Sequence, residues 1–194
     1  MLKRVRNPLI LSCLLSAFFI SNSVWIHAKA VLAQILIEHA WAETLVTGHA
    51  TPPWPWADFW PVARLIIKRT GNKLYVLSSA SGESLSFGPG HMNGSAMPAE
   101  SGTSIIAGHR DTHFYFLKKS RIGDVLNLQR ADGYSIDFKV TGMEVVDIRQ
   151  ARLTIEPGKT QLKLVTCYPF DAVLPGGPKR LVVELLKAGA RLQG

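Results

Sequence analysis

The stretch that decides the fold reads QLKLVTCYPFDAVLPGGPKRLVVELLK, from Gln161 to Lys187. An apolar run ends at Cys167, a loop rich in proline and glycine follows, and Arg180 opens a second apolar run. Period-two alternation predicts that Cys167 shares one strand face with Lys163 and Val165. If the two runs pair as antiparallel strands, Cys167 and Arg180 lie side by side at the loop end of the strand pair.

The same pattern of short apolar runs separated by turn residues continues upstream as far as Pro61. The runs that predict strands are ARLIIKR, KLYVLSS, ESLSFG, SIIAGH, VLNLQR, YSIDFKVTGMEVVDI, KLVTC and RLVVELL. Turn dipeptides separate them, and only the stretch from Phe114 to Arg121 indicates a helical turn. Regularly spaced short strands are typical of an all-β barrel or sandwich.

At the N-terminus, basic residues precede a long apolar run from Pro8 to about Ala28. Such a run can cross a bilayer, which takes roughly 20 residues. The positive charges before it predict that the rest of the chain is exported. We interpret the run as an uncleaved signal anchor, while Ala28-Lys29-Ala30 also resembles the cleavage site of a signal peptide.

A helical pattern and then a linker follow the anchor. Gly48 supplies a helix stop. The residues predicted to form the apolar helix face are Val31, Leu32, Ile35, Leu36, Trp41 and Leu45. The linker is rich in proline and tryptophan, and its tryptophans suit either a membrane interface or packing on the domain. The predicted organisation is a cytoplasmic basic segment (1–7), a transmembrane anchor (8–28), a stalk and linker (29–60) and a β-domain (61–190).

Charge and cysteine content narrow the possible functions. The chain carries 22 basic and 14 acidic residues and has no dense basic stripe interleaved with aromatic residues, so nucleic-acid binding has little support. Of its two cysteines, Cys13 falls inside the predicted span. Cys167 therefore lacks a disulfide partner in the exported domain and is either a buried apolar residue or a reactive thiol.

A cysteine nucleophile needs a base or a cationic partner. His109 ends the run SIIAGH at a strand terminus, as Cys167 does at another, whereas His91 in GPGHMNG is predicted to be a solvated loop residue. Asp111 and His113 are expected to orient His109 or to line the groove. These residues lack a further ligand cluster, so no metal site is predicted.

Taken together, SIIAGHRDTHF, KLVTC and Arg180 resemble the sortases, a family of membrane-anchored cysteine transpeptidases. The sortase pattern is a strand ending in Gly-His, a TLxTC strand and an arginine on the next strand. Leu164, Thr166 and Cys167 match, and Lys163 stands where threonine is usual. The resemblance covers roughly residues 61–186, and details such as SGESLSFGPGH look like the sortases of Gram-negative proteobacteria.

The resemblance implies a closed β-barrel of about eight strands with one or two short helices, preceded by a transmembrane helix and a helical stalk. Cys167 would attack a threonyl carbonyl in a C-terminal sorting motif and form a thioacyl-enzyme. His109 would act as general acid and base, and Arg180 would stabilise the oxyanion. The expected partners are a substrate protein that carries the sorting signal, an unidentified amine acceptor and the membrane, with no cofactor. The expected location is the inner membrane, with the catalytic domain facing the periplasm.

The residues expected to contact the substrate are Thr166, Ala151, Leu153 and Ile155; for the last three, packing in the core is nearly as good an interpretation. Three functions other than that of a sortase are alternatives. One is an inert β-barrel binding module with a buried Cys167, and another is a cysteine hydrolase that uses no amine acceptor. An L,D-transpeptidase would carry a Ser-His-Gly-Cys run, which this sequence lacks.

Overall fold

Eight strands close into a barrel in the computed structural model, which describes residues 8–150, 152–172 and 176–189. The strands are β1 (Pro61–Ile67), β2 (Lys73–Leu77), β3 (Gly90–His91), β4 (Thr103–Ala107), β5 (Val125–Arg130), β6 (Ser135–Asp147), β7 (Gln161–Cys167) and β8 (Lys179–Lys187). They are ordered β1-β2-β3-β4-β7-β8-β6-β5 around the barrel. The helices are α1 (Pro8–Thr47), α2 (Gly82–Leu85) and a 3-10 helix (Tyr115–Lys119). The expectation of an all-β closed barrel with short helices is confirmed.

The barrel interior is filled by one face of each long strand. Period-two alternation turns Leu162 and Leu164 of β7 and Val183 and Leu185 of β8 inward, where each is at most 1% exposed. Burial of apolar surface contributes roughly 25 cal/mol per Å² to folding. The opposite face of β7 is also buried as far as Thr166, and Cys167 at the end of the strand is half-buried.

One predicted strand is wrong. ESLSFG contains the helix α2, whose N-cap Ser81 accepts a hydrogen bond from the backbone N–H of Ser84. Glu83 lies in the first turn, where a negative charge is favourable. The alternation of Leu85 and Phe87 with serines imitates a strand, but these residues belong to a helical turn and the segment after it. The short strand β3 completes the set of eight.

The helix α1 continues from the apolar N-terminal run into the stalk. Its 40 residues include one segment, beginning at Ile10, that is long and apolar enough to cross a membrane. The helix ends at Thr47, and the N–H of Gly48 donates to the carbonyl of Thr44. Gly48 has φ +72°, a left-handed conformation that favours glycine, so the predicted stop is confirmed.

The stalk half of α1 packs on the barrel through a face that shares the buried Trp41 with the predicted one but otherwise differs from it. The buried residues are Ala33, Ile37, Ala40, Trp41 and Thr44. Val31, Leu32 and Ile35 are more than half exposed instead. Two alanines among the buried residues let the helix approach β1 and β2 closely, whereas the exposed residues continue the apolar surface of the N-terminal run. Apolar residues all around the helix made its docking face ambiguous in the sequence.

Candidate active site

Cys167 and Arg180 occupy paired positions on neighbouring strands. β7 and β8 are antiparallel, and the register pairs Cys167 at the end of β7 with Arg180 near the start of β8. The side chain of Cys167 is half-buried, and its thiol is free. The prediction that these two residues lie side by side at the loop end of the strand pair is therefore confirmed.

His109 reaches the same end of the barrel from the other side of β7. β4 runs parallel to β7, with Ala107 paired to Val165, so His109 and Cys167 each lie two residues beyond a paired position. The N–H of Gly108 donates to the carbonyl of Val165 at 3.1 Å, which extends the pairing past the end of β4. His109 is exposed at the surface. The fold thus brings the three predicted catalytic residues to one end of three adjacent strands.

Thr166 has a different place from the expected one. It points inward, is 2% exposed, and its hydroxyl donates to the carbonyl oxygen of Gly108 at 2.7 Å. A side chain buried and bonded in this way holds the His109 turn against β7, which corrects the expectation that Thr166 contacts the substrate. Gly108 must be glycine, because a Cβ there would lie 2.9 Å from the Phe114 ring.

The Arg180 guanidinium is oriented by its own loop. Its Nη1 donates to the carbonyls of Gly177 and Lys179 at 2.7 and 2.9 Å. Nε and Nη2 carry three further N–H donors, since a guanidinium has five in a planar fork. A permanently charged donor group held beside Cys167 is suited to stabilise negative charge that develops on a carbonyl oxygen.

An apolar patch lies on the outer barrel face next to Cys167. It is formed by Ile105, Val165 and Val182, and Leu153 packs against it. Beyond the patch, Lys163 forms a 2.7 Å ion pair with Glu184 across the two strands. The three patch residues are at most 9% exposed, so the patch is a small packed cluster, and the ion pair satisfies a lysine that is otherwise almost buried.

The other expected groove residues differ from one another. Leu153 covers the patch, so both interpretations, groove lining and packing, agree with its contacts. Ile155 is 48% exposed on the same segment. Ala151 lies outside the described residues.

His113 and Asp111 lie in the turn that follows His109. The strand does not continue past Ala107, so the two histidines and Asp111 do not share a strand face. Burial lowers the pKa of the His113 imidazole below its usual value, and the charge of nearby His109 lowers it further. A backbone hydrogen bond at Ser86 and the Asp111 charge oppose this shift without reversing it. His113 therefore favours its neutral form beside His109.

His91 was predicted to be solvated, and this is wrong. It is 5% exposed, and its Nε2 lies 2.9 Å from the carbonyl oxygen of Ala96 and 3.0 Å from the hydroxyl of Ser95. Through these two contacts, His91 fixes the position of the loop between β3 and β4. Across the residues that the structure describes, no group of three or more His, Cys, Asp or Glu side chains is placed to hold a metal ion.

Sequence reasoning also missed Arg110. It is 9% exposed, and its Nη2 donates to the carbonyl of Ala172 in the loop that follows Cys167. Its position directly after His109 was the only available signal, because arginines in loops are usually solvated.

Comparisons with known proteins agree with this geometry. A family model described as the Sortase domain matches residues 65–187. Sortase D of Bacillus subtilis is 31% identical over 120 residues, which are 61% of this chain and 60% of that protein. The match therefore spans about three fifths of the relative's length.

Two solved structures have the same fold. Sortase A from Corynebacterium diphtheriae has a TM-score of 0.61 at 25% identity and covers 72% of this chain and 66% of its own. Sortase C1 from Streptococcus agalactiae has a TM-score of 0.58 at 26% identity, with 68% and 69% covered. The proteobacterial subgroup stays a prediction. With the domain match covering more than half of its residues, the chain belongs to the sortase family.

Proposed function

We propose that the chain is a membrane-anchored cysteine transpeptidase that cleaves a threonyl bond in a C-terminal sorting motif and transfers the threonyl carbonyl to an amine. The observation that carries this proposal is the register that pairs Cys167 with Arg180 while β4 delivers His109 to the other side of β7. A nucleophile, a proton carrier and an oxyanion donor thus come from three adjacent strand ends.

The first half-reaction acylates Cys167. Its thiolate attacks the threonyl carbonyl carbon, and Arg180 N–H groups stabilise the resulting oxyanion. His109, as imidazolium, gives its proton to the leaving amine as the C–N bond breaks. The products are a thioester on Cys167, a neutral His109 and a released C-terminal peptide.

The second half-reaction runs the same steps in reverse with a new amine. The acceptor amine attacks the thioester carbonyl, and His109 takes its proton. A new C–N bond forms, the C–S bond breaks, and Cys167 leaves as thiolate. If water attacks instead, the product is a free carboxylate, which is the outcome for a hydrolase.

We propose that the segment covering the apolar patch, which carries Leu153 and Ile155, contacts the residues that precede the threonine. The patch lies on the same strand face as Cys167, and Val165 is two residues from the thiol. Ile155, which is exposed on the segment that carries Leu153, belongs to this proposed lining, and for Ala151 a substrate contact stays a prediction from the sequence. A peptide laid along this face would present its threonyl carbonyl between Cys167 and Arg180.

The test is to trap the acyl-enzyme. The full chain in detergent micelles is incubated with a peptide library randomised around a central threonine, and the adduct is identified by mass spectrometry. We expect a mass added at Cys167 that an amine such as triglycine releases as a ligated product. Cys167→Ala should form no adduct, and Cys13→Ser should behave like the natural chain.

Three outcomes separate the alternatives. Absence of both adduct and cleavage with the natural chain, as with Cys167→Ala, would favour an inert module. Release of free carboxylate alone, at the same rate with and without amine, would establish a hydrolase. Release that depends on the amine supports the transpeptidase.

A further inference from the structure

Arg110 makes a buried connection between the two halves of the site. It directly follows His109, and its guanidinium Nη2 donates a 2.8 Å hydrogen bond to the carbonyl oxygen of Ala172, 62 residues away in sequence. Ala172 belongs to the loop that leaves the barrel immediately after Cys167. One side chain thus joins the turn that carries the imidazole to the loop that follows the thiol.

The burial of Arg110 requires an explanation. Arginines on a barrel surface usually extend their head groups into water, and a buried guanidinium loses hydration unless its donors are satisfied. Arg110 is only 9% exposed. The planar guanidinium fork holds its donors in fixed directions, which suits a contact that joins two segments.

A second connection acts on the other side of His109. The hydroxyl of Thr166, the residue before Cys167, donates to the carbonyl of Gly108, the residue before His109. His109 is therefore flanked in sequence by two residues that are each tied to the chain around Cys167. The Thr166 bond fixes the start of the turn against β7, and the Arg110 bond fixes its continuation against the loop.

We propose that Arg110 is a positioning residue that holds His109 in line with Cys167 through both half-reactions. This inference rests on the proposed function, in which these two groups exchange a proton with the substrate. Arg110 acts through the backbone of its neighbour and through the loop after Cys167. A displacement of about 1 Å in such an arrangement can cost about 100-fold in rate.

The experiment uses the full chain in detergent micelles with Cys13→Ser, so that Cys167 is the remaining thiol. Arg110→Gln removes the charge, and Arg110→Lys keeps the charge but loses the planar fork. Arg121→Gln, on an exposed turn, is the matched control. Thermal melts establish folding, and a peptide found by trapping reports kcat and KM. The rate of Cys167 alkylation by iodoacetamide reports the thiol without any sorting substrate.

For folded Arg110 variants we expect kcat to fall about 10- to 100-fold while KM stays within about twofold, the signature of a group that acts in the transition state. Alkylation of Cys167 should slow several-fold, because a displaced imidazolium supports the thiolate less well. Arg121→Gln should leave all three quantities unchanged.

Other results would overturn the proposal. An unchanged kcat and alkylation rate in folded Arg110→Lys and Arg110→Gln would show that the connection is dispensable. A raised KM at constant kcat would indicate substrate binding instead, and failure of both variants to fold would make Arg110 purely structural. Since alkylation needs no sorting peptide, these results are distinguishable from failure of the proposed function, which Cys167→Ala tests.

Discussion

Around Cys167, side chains that reach the strand ends differ from a neighbour that turns into the barrel. Cys167, His109 and Arg180 present reactive or charged atoms at strand ends, whereas Thr166 turns inward and bonds to the carbonyl of Gly108. The placement of these three residues at strand ends was predictable, because strand periodicity and the break at each loop are local properties of the sequence. Burial of Arg110 was not predictable, because it depends on a loop 62 residues away.

His113 gives the molecule a pH dependence whose sign is set by its environment. Its folded pKa lies below the ordinary histidine value of about 6.5, since burial and His109 disfavour the charged form. As the pH falls through 6.5, the unfolded chain binds this proton first, so stability decreases. The loss grows until the pH passes the folded pKa.

We therefore expect His113→Gln to lose less stability than the natural chain between about pH 7.5 and pH 5.5, a window around the ordinary histidine pKa. Urea unfolding at the two pH values measures the difference. His49→Gln, on an exposed loop, controls for the loss of one histidine. Equal losses in His113→Gln and the natural chain would contradict the assignment.

At the scale of elements, the barrel strands followed from the sequence and the packing of α1 did not. Side chains along a strand alternate between two faces, so the sequence shows which residues face the barrel interior, as in β7 and β8. In α1, apolar residues surround the helix, and the docking face is selected by shape: small residues at Ala33 and Ala40 beside Trp41. The helix α2 was missed because a capping serine outweighs a strand-like alternation in so short a segment.

The docked half of α1 should contribute to barrel stability. Trp41 is 2% exposed and lies against the Tyr75 ring at 6.4 Å between centroids. Trp41→Ala should lower the free energy of unfolding by about 3–5 kcal/mol, the usual cost of emptying a buried tryptophan site. Val46→Ala, at a residue 87% exposed, should change it by less than about 0.5 kcal/mol. Urea melts in detergent measure both, and equal values would show that α1 is not part of the cooperative unit.

At the scale of the whole molecule, the N-terminal apolar run and the barrel form one connected body through α1. We expect the anchor to place the barrel outside the cytoplasm, since the basic residues precede the span. A phosphatase that is active only after export, fused after Gly194, should be active. A reporter that works only in the cytoplasm should be silent at the same position, and the reverse pattern would contradict the proposed topology.

The unbroken course of α1 has a consequence for how substrates are found. Gln34 donates to the carbonyl of Phe87, so the barrel is already attached six residues past Ala28, about 9 Å along the helix axis. For a membrane-anchored chain, the candidate site then lies at a constant distance from the bilayer. The protein would meet a membrane-tethered substrate by lateral diffusion in the plane of the membrane. Turnover would follow the number of substrate molecules per unit of membrane area, and a dissolved peptide would compete poorly.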